Sequence, residues 1–343
     1  MKRPTITDIA WRAGVSKGAV SYALNGKPGV SEPTRERILA IAAELGWQPS
    51  SAARALSDGR AGAIGLVIDR PARTLGIEPF FMQLISGIEA ELAESAEALL
   101  LKVTEDRDAE MDTYRRWWAA RRVDGVILVD LCAGDPRVGL IEELKLPAVV
   151  VGGPAGKGSL AGVWSDDAGA MRAVVDHLAA LGHRAIARVA GPATFLHTAV
   201  RSKAFSSAAR RRRLARATTI HADYTGEAGA QATRRLLSGP TPPTAIVFDN
   251  DVMAVAALAV AQEMRVPVPE RLSIVAWDDS ALCELVHPAL TAVRRNIAEH
   301  GARAAALLLR LVAGEPITDA ECSAPTLATR GSTAPPVDAE PIK

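Results

Sequence analysis

Gly14-Val15-Ser16-Lys17-Gly18 satisfies G-x-S-x-G, the turn that presents a nucleophilic serine in many hydrolases. That chemistry needs a strand entering the turn, a helix leaving it, and an acid and a histidine supplied later. No apolar strand runs into Gly14. A capped helical pattern precedes it instead, so the residues do not support a nucleophile. They support a second use. A helix-turn-helix needs a small residue where two helices touch, a glycine in the turn and an inward apolar residue on the second helix. Ala10, Gly14 and Val20 supply these, with Val15 and Leu24 completing a small core. Ser16 then caps the second helix. Its solvent face carries Lys17, Gly18, Ser21, Tyr22 and Asn25, and the N-terminal part of such a helix enters the DNA major groove.

Other chemical signals fail on spacing. The stretch GGPAGKGS (152–159) hints at a phosphate loop, but a Walker motif would put glycine where Val151 stands and serine or threonine where Gly158 stands. It reads as a flexible loop between lobes. No G-x-G-x-x-G follows a strand, so no dinucleotide cofactor is expected, and no other cofactor is implied. Arg210 to Arg213 reads as a solvated helix face. The six histidines show no H-x-x-x-H or H-E-x-x-H spacing, and Cys132, Cys283 and Cys322 are far apart. Neither a metal site nor a disulfide framework is expected, and the cysteines read as small buried apolar groups in a reducing compartment.

The elements that must carry these residues change character along the chain. Residues 1–60 hold nine basic and five acidic residues, against 31 and 34 in the remainder. A basic head on a mildly acidic body points to a polyanion partner for the head alone. The head reads as three short helices. Thr5 and Asp8 form a capping-box pattern for the first, Ser31 caps the third, and Gly46 ends it. Residues 50–62 read as a polar linker of marginal helicity. From Ala63 onward, short apolar runs alternate with amphipathic helices. The candidate strands are 63–69, 98–103, 125–130, 147–152, 185–190, 245–249 and 272–277, and the helices include 81–94, 168–181, 228–237 and 252–264. Repeated βα units predict a parallel sheet covered on both faces. The body is long for one sheet, which predicts two lobes and a cleft. No apolar run is long enough for a membrane span, and the N-terminal residues have no apolar leader, so a cytoplasmic protein is expected.

Residues 4–56 resemble the head and hinge of LacI/GalR-type transcription repressors, almost position by position. Residues 79–89, 165–191, 248–258, 268–280, 288–296 and 327–333 resemble that family's body. The resemblance implies an all-α helix-turn-helix head on an α/β body of two Rossmann-like lobes, of the periplasmic-binding-protein type, joined by three crossovers. It implies a helix-turn-helix domain at 1–48, a hinge helix or linker at 49–61, and an effector-binding and dimerisation domain at 62–334. Lobe one would be 62–162 with 292–320, lobe two 163–291 with 321–334, and a tail would follow at 335–343.

The implied partners are a pseudo-palindromic operator, a small-molecule effector of sugar type, and a second copy of the chain in a homodimer or higher assembly. The DNA contacts carried over are Thr5, Ser16, Lys17, Ser21, Tyr22 and Asn25. In the hinge they are Ala53 and Leu56, the leucine wedging into a minor-groove base step on a segment that becomes helical only on DNA. The effector contacts carried over are Phe80, Arg201, Asp251, Trp277, Asp278 and Arg295. Acids and guanidinium groups can each hold several sugar hydroxyls, and Phe80 and Trp277 could pack on a pyranose face. Two arginines in one cleft would suit an acidic or phosphorylated sugar.

This chain departs from the family pattern at Tyr22, where an arginine that would pair with guanine is usual, and at Gly18, which has no side chain to read a base. It also departs at Arg201-Ser202-Lys203-Ala204-Phe205, where R-x-x-G-F is usual. The rival readings are a solute-binding protein without DNA regulation, which leaves the basic head unexplained, and an enzyme, which lacks a sound motif.

Overall fold

The computed structural model describes residues 4–47, 60–71, 75–95 and 97–337. The chain forms two compact units, divided between Ala61 and Gly62. Ala53 and Leu56 lie outside the described residues.

The first unit contains α1 (Ile6–Ala13), α2 (Lys17–Leu24) and α3 (Glu32–Glu44). Local chemistry sets their ends. The Asp8 carboxylate accepts the Thr5 backbone N–H at 2.7 Å, and Gly14 closes α1 at φ 66°. That left-handed conformation strains any residue with a Cβ. Ser16 Oγ accepts the Ala19 N–H at 3.1 Å and so caps α2. Ile9, Ala10, Ala13, Val20, Ala23, Ile38 and Ala42 form the buried core, with Val15 and Leu24 packed at its margin.

The second unit has two six-stranded sheets. One runs β11-β5-β4-β3-β1-β2 and the other β12-β10-β9-β8-β6-β7. The first holds β1 (Ala63–Asp69), β2 (Ala98–Thr104), β3 (Gly125–Val129), β4 (Ala148–Val151), β5 (Ala161–Trp164) and β11 (Ala320–Glu321). The second holds β6 (Ala185–Ala190), β7 (Arg216–His221), β8 (Ala245–Phe248), β9 (Ser273–Trp277), β10 (Thr291–Arg294) and β12 (Thr326–Ala328). All ladders are parallel except β10 with β12. Helices cover each sheet: α4 (Pro79–Ser95), α5 (Arg107–Ala119), α6 (Pro136–Leu144) and, later in the chain, α12 (Ile297–Val312) the first, and α7 (Asp167–Ala180), α8 (Leu196–Arg211), α9 (Gly226–Leu237), α10 (Asp251–Glu263) and α11 (Ala281–Leu285) the second. This is the two-lobed α/β body that the resemblance implied.

The lobe boundaries move by a few residues. β5 pairs with β4 through Val163, and β10 pairs with β9 through Val293. The chain therefore leaves the first lobe after Trp164 rather than 162, and returns to it after Arg294 rather than at 292. Val337 N–H still bonds the Glu270 carbonyl at 3.2 Å, so the expected tail at 335 starts later. Residues 152–159 do not link the lobes. They join β4 to β5 inside one sheet, and Lys157 is anchored there by Asp319 at 3.0 Å.

In the first lobe, α4 and α12 approach through two glycines. A Cβ on Gly301 would lie 2.1 Å from the Leu84 carbonyl oxygen, and one on Gly87 would lie 1.9 Å from that of Ala298. No larger residue allows this backbone contact, which seals Leu84, Ile88 and Leu308 into the first-lobe core. Arg210 to Arg213 end α8 in solvent, where Arg211 and Arg212 share Asp176.

Candidate functional sites

A cavity of about 320 Å³ opens between the two sheets of the second unit. Its charged lining comes largely from the residues just past the strand ends. Arg70 follows β1, Asp130 follows β3, Ser165 to Asp167 follow β5, Asp249 and Asn250 follow β8, Asp278 follows β9 and Arg295 follows β10. This is the carboxyl edge of the strands, where ligands of open α/β sheets bind. The turns there are tight. Asp130, Tyr224 and Asp278 all have left-handed backbones, with φ of 54°, 70° and 63°. Asp and Asn tolerate that region better than most residues.

The three arginines of the lining follow one plan, with a carboxylate at the edge and an aromatic ring beneath. Arg70 reaches Asp130 at 2.6 Å and lies 5.1 Å from the Phe195 ring centre. Arg201 reaches Asp167 at 2.7 Å and stacks on Trp277 at 4.3 Å. Arg295 reaches Asp278 at 2.6 Å and lies 5.8 Å from Phe80. A guanidinium held this way is fixed in plane and orientation before a ligand arrives. Burial alone would raise the Asp130 and Asp167 carboxyls, but the arginines outweigh it and both stay below the usual carboxylate range. The arginines are therefore not spare cations awaiting an acid, which removes the premise for expecting an acidic or phosphorylated sugar.

His197 donates to or accepts from Tyr224 Oη at 2.7 Å. Burial, helped by the Arg201 charge, pushes its imidazole down to about 4, so it is neutral at pH 7. Burial raises the Tyr224 phenol above its ordinary range. Beside Arg70, burial lifts the Glu78 carboxyl to about 8 despite that arginine's opposing charge.

Of the effector residues expected from sequence, Phe80, Arg201, Asp278 and Arg295 line the cavity together. Trp277 does not. It is fully buried, its indole packed in the second-lobe core under Arg201, and it supports that side chain rather than facing a ligand. Asp251 is also off the lining, 2% exposed at the start of α10, where its Oδ1 accepts the Val252 N–H at 2.8 Å. Its neighbour Asn250 lines the cavity instead. Arg70, Glu78, Asp130, Asp167 and His197 were missed. For Arg70 and Asp130 the usable signal was position, directly after a strand; Glu78, Asp167 and His197 sit at or beside helix starts and carried none.

In the first unit, Ser16, Lys17, Gly18, Tyr22 and Asn25 are exposed on or beside α2, Ser21 is half-buried, and Thr5 is at the start of α1. The Tyr22 ring lies against Gly29, where an added Cβ would sit 3.3 Å from it. Arg35 reaches back from α3 to the carbonyls of Ala23 and Lys27, at 3.1 and 2.9 Å, and so fixes the exit of α2. Ser16 Oγ is engaged as a cap, and residues 4–47 contain no histidine to activate it. Among the described residues no cluster of His, Cys, Asp and Glu could hold a metal ion, and no helix is long and apolar enough to cross a membrane.

Comparison with known proteins bears on both sites. Residues 5–50 match the bacterial regulatory proteins of the lacI family, and residues 175–333 match the periplasmic binding protein-like domain. The HTH-type transcriptional regulator CelR of Thermobifida fusca is 31% identical over 318 residues, covering 92% of this chain and 93% of its own length. A solved structure of a transcriptional regulator CelR–cellobiose complex is similar at a TM-score of 0.73 and 29% identity, covering 96% of this chain and all of that one. The fold is also that of the lac repressor dimer bound to operator and the anti-inducer ONPF, with a TM-score of 0.86 at 24% identity over 97% of this chain and 100% of that one.

Proposed function

The chain belongs to the lacI family of bacterial regulatory proteins and is a DNA-binding transcriptional regulator; from that premise we propose that it represses as a cytoplasmic homodimer on a pseudo-palindromic operator, and that a sugar in the cavity of the second unit sets its operator affinity. The observation that carries the effector half is the cavity wall itself, where paired arginines and acids alternate with ring faces. Guanidinium groups donate, carboxylates accept, and sugar hydroxyls do both. Cellobiose bound to CelR makes a sugar the natural ligand class to test first.

The DNA half follows from the exposed face of α2. Lys17 and Tyr22 are the base contacts, and Ser16, Ser21, Asn25 and Thr5 position the helix on phosphates. An eight-residue recognition helix reads only a few base pairs, so a second copy is needed for a usable site. Exposed Ile77, Met82, Leu101 and Trp118 on and around α4, β2 and α5 give a dimer apolar surface to bury. Ala53 and Leu56 then enter the minor groove from the hinge. Effector binding changes the angle of the lobes, separates the paired hinges and lowers operator affinity. The role is regulatory rather than catalytic.

The test is binding of the full chain to duplexes selected from a random pool at low salt. Recovery of a two-fold symmetric site holding two chains is the expected result. Failure to enrich any sequence would sink the proposal.

A further inference from the structure

The first-lobe wall of the cavity holds two adjacent polar atoms that the fold leaves unsatisfied. Glu78, directly before α4, is 8% exposed and lines the cavity. Its Oε2 makes no hydrogen bond among the described residues, and neither does Arg70 Nε, which lies 3.8 Å away. The rest of the Arg70 guanidinium is committed. Nη2 donates to Asp130 at 2.6 Å, Nη1 donates to the Asp69 carbonyl at 2.9 Å, and the Phe81, Phe195 and Tyr224 rings surround it. Buried polar atoms are nearly always satisfied, and an exception needs an explanation. Here a donor and an acceptor belong to two residues that line the same cavity, and they lie at a separation that a hydroxyl bridges. Its oxygen accepts from Arg70 Nε–H, and its hydrogen goes to Glu78 Oε2.

We propose that Arg70 and Glu78 form a hydroxyl-binding subsite, and that it selects an uncharged polyhydroxylated effector over a sugar acid or sugar phosphate. The proposal rests on the sugar-effector reading above and adds to it the residues and the charge class. Two further lining residues carry a buried oxygen without a hydrogen bond among the described residues, Ser165 Oγ and Asp167 Oδ1, the latter with only the Arg295 guanidinium at 3.6 Å, so the cavity wall has room for more than one hydroxyl contact. Charge argues the same way. Arg70, Arg201 and Arg295 already hold Asp130, Asp167 and Asp278, and Asp249 is held by Arg188 outside the lining. An entering anion would have to displace one of these carboxylates and then sit beside another. With its carboxyl raised to about 8, Glu78 is mainly protonated at pH 7 and adds no cation-seeking charge.

The experiment uses the full-length protein, with melting-temperature screening followed by calorimetric titration. The probes are glucose, cellobiose, maltose and trehalose against glucuronic acid, cellobionic acid and glucose 6-phosphate. The expected result is that a neutral sugar binds at least about tenfold more tightly than any charged one. Glu78→Leu then loses about tenfold, the equivalent of one hydrogen bond. Glu78→Gln, which keeps an acceptor in place, stays within about threefold. Arg70→Lys, which removes Nε–H but keeps the charge beside Asp130, also loses about tenfold and decides the matter if Glu78→Leu does not fold.

Preference for a charged probe, unchanged affinity in Glu78→Leu, or equal loss in Glu78→Leu and Glu78→Gln each overturns the subsite while leaving the sugar reading standing. No binding of any probe to the unmodified protein overturns both.

Discussion

Asp278→Asn isolates what a carboxylate contributes to the effector cavity. The Asp278 backbone is left-handed at φ 63°, and asparagine tolerates that region while alanine would add strain. The substitution therefore changes charge with little change in shape. Asp278 Oδ1 accepts from Arg295 Nε at 2.8 Å and lies 2.6 Å from its Nη2. Losing one partner of a fully buried pair costs about 3–5 kcal/mol. Arg295, however, keeps Asp167 at 3.6 Å and the Phe80 ring, beside an open cavity. A cost of about 1 kcal/mol is expected, or roughly 2–4 °C for a unit of this size. A charge-assisted hydrogen bond is worth about 1.5–3 kcal/mol, so effector affinity should fall roughly 10- to 150-fold. Calorimetry with the sugar that raises the melting temperature of the unmodified protein measures this, and operator release should need correspondingly more sugar. An effector Kd within about threefold of the original, in a folded variant, would refute the assignment of the cavity.

Leu56→Ala should weaken operator binding tenfold or more, about 1.4 kcal/mol, while sugar binding is unchanged; electrophoretic mobility shift alongside calorimetry separates the two. Gly301→Ala places a methyl 2.1 Å from the Leu84 carbonyl oxygen. Overpacking of this kind costs roughly 1–3 kcal/mol, and because backbone must move the loss should lie at the upper end of that range, read as a drop in melting temperature of roughly 6–12 °C. Glu78→Gln should become more stable relative to the unmodified protein as pH rises. The folded carboxyl is raised to about 8 from 4.5, so the original chain loses stability between those values and glutamine does not. Even a tenfold bias towards the protonated form is about 1.4 kcal/mol, roughly 3–6 °C, and a pH series of melting curves from 4.5 to 9 reads it.

Sequence carried most of the head, because its signals are local, although Ser31, expected to cap α3, makes no side-chain cap bond there and its Oγ lies instead 2.9 Å from Thr34 Oγ1. Thr5, Gly14, Ser16 and Gly46 act within one helical turn of themselves, and all do in the structure what capping and turn chemistry require. The body was legible where strands are buried on both faces. β1 and β6 have the expected bounds, since both are nearly continuous apolar runs buried on both faces, interrupted only by Arg188 in β6 and ended by Asp69 in β1. β7 escaped notice because it is an edge strand with the half-polar sequence RATTIH. β5, β10 and β11 are two to four residues long, too short for a period to show.

The site was harder for a different reason. Phe80, Arg201, Asp278 and Arg295 could be carried over by motif, but whether a side chain faces a cavity or the core depends on packing from distant elements. Trp277 and Asp278 are neighbours in sequence, yet the first is walled in by α7 and α8 side chains and the second meets the cavity. The pairing of each arginine with an acid joins residues 60, 34 and 17 positions apart, which no local pattern encodes. That pairing changed the reading of the cavity from cationic to balanced.

The proposed regulation requires coupling between a sugar site and an operator site within one chain. It is tested most directly by fluorescence anisotropy of a labelled selected operator, titrated with the full-length protein with and without saturating sugar. Coupling of about 1–3 kcal/mol predicts a 5- to 150-fold weaker operator Kd with sugar present, and reciprocity demands that sugar bind the operator complex more weakly by the same factor. An operator Kd that is identical with and without a sugar known to occupy the cavity would contradict it.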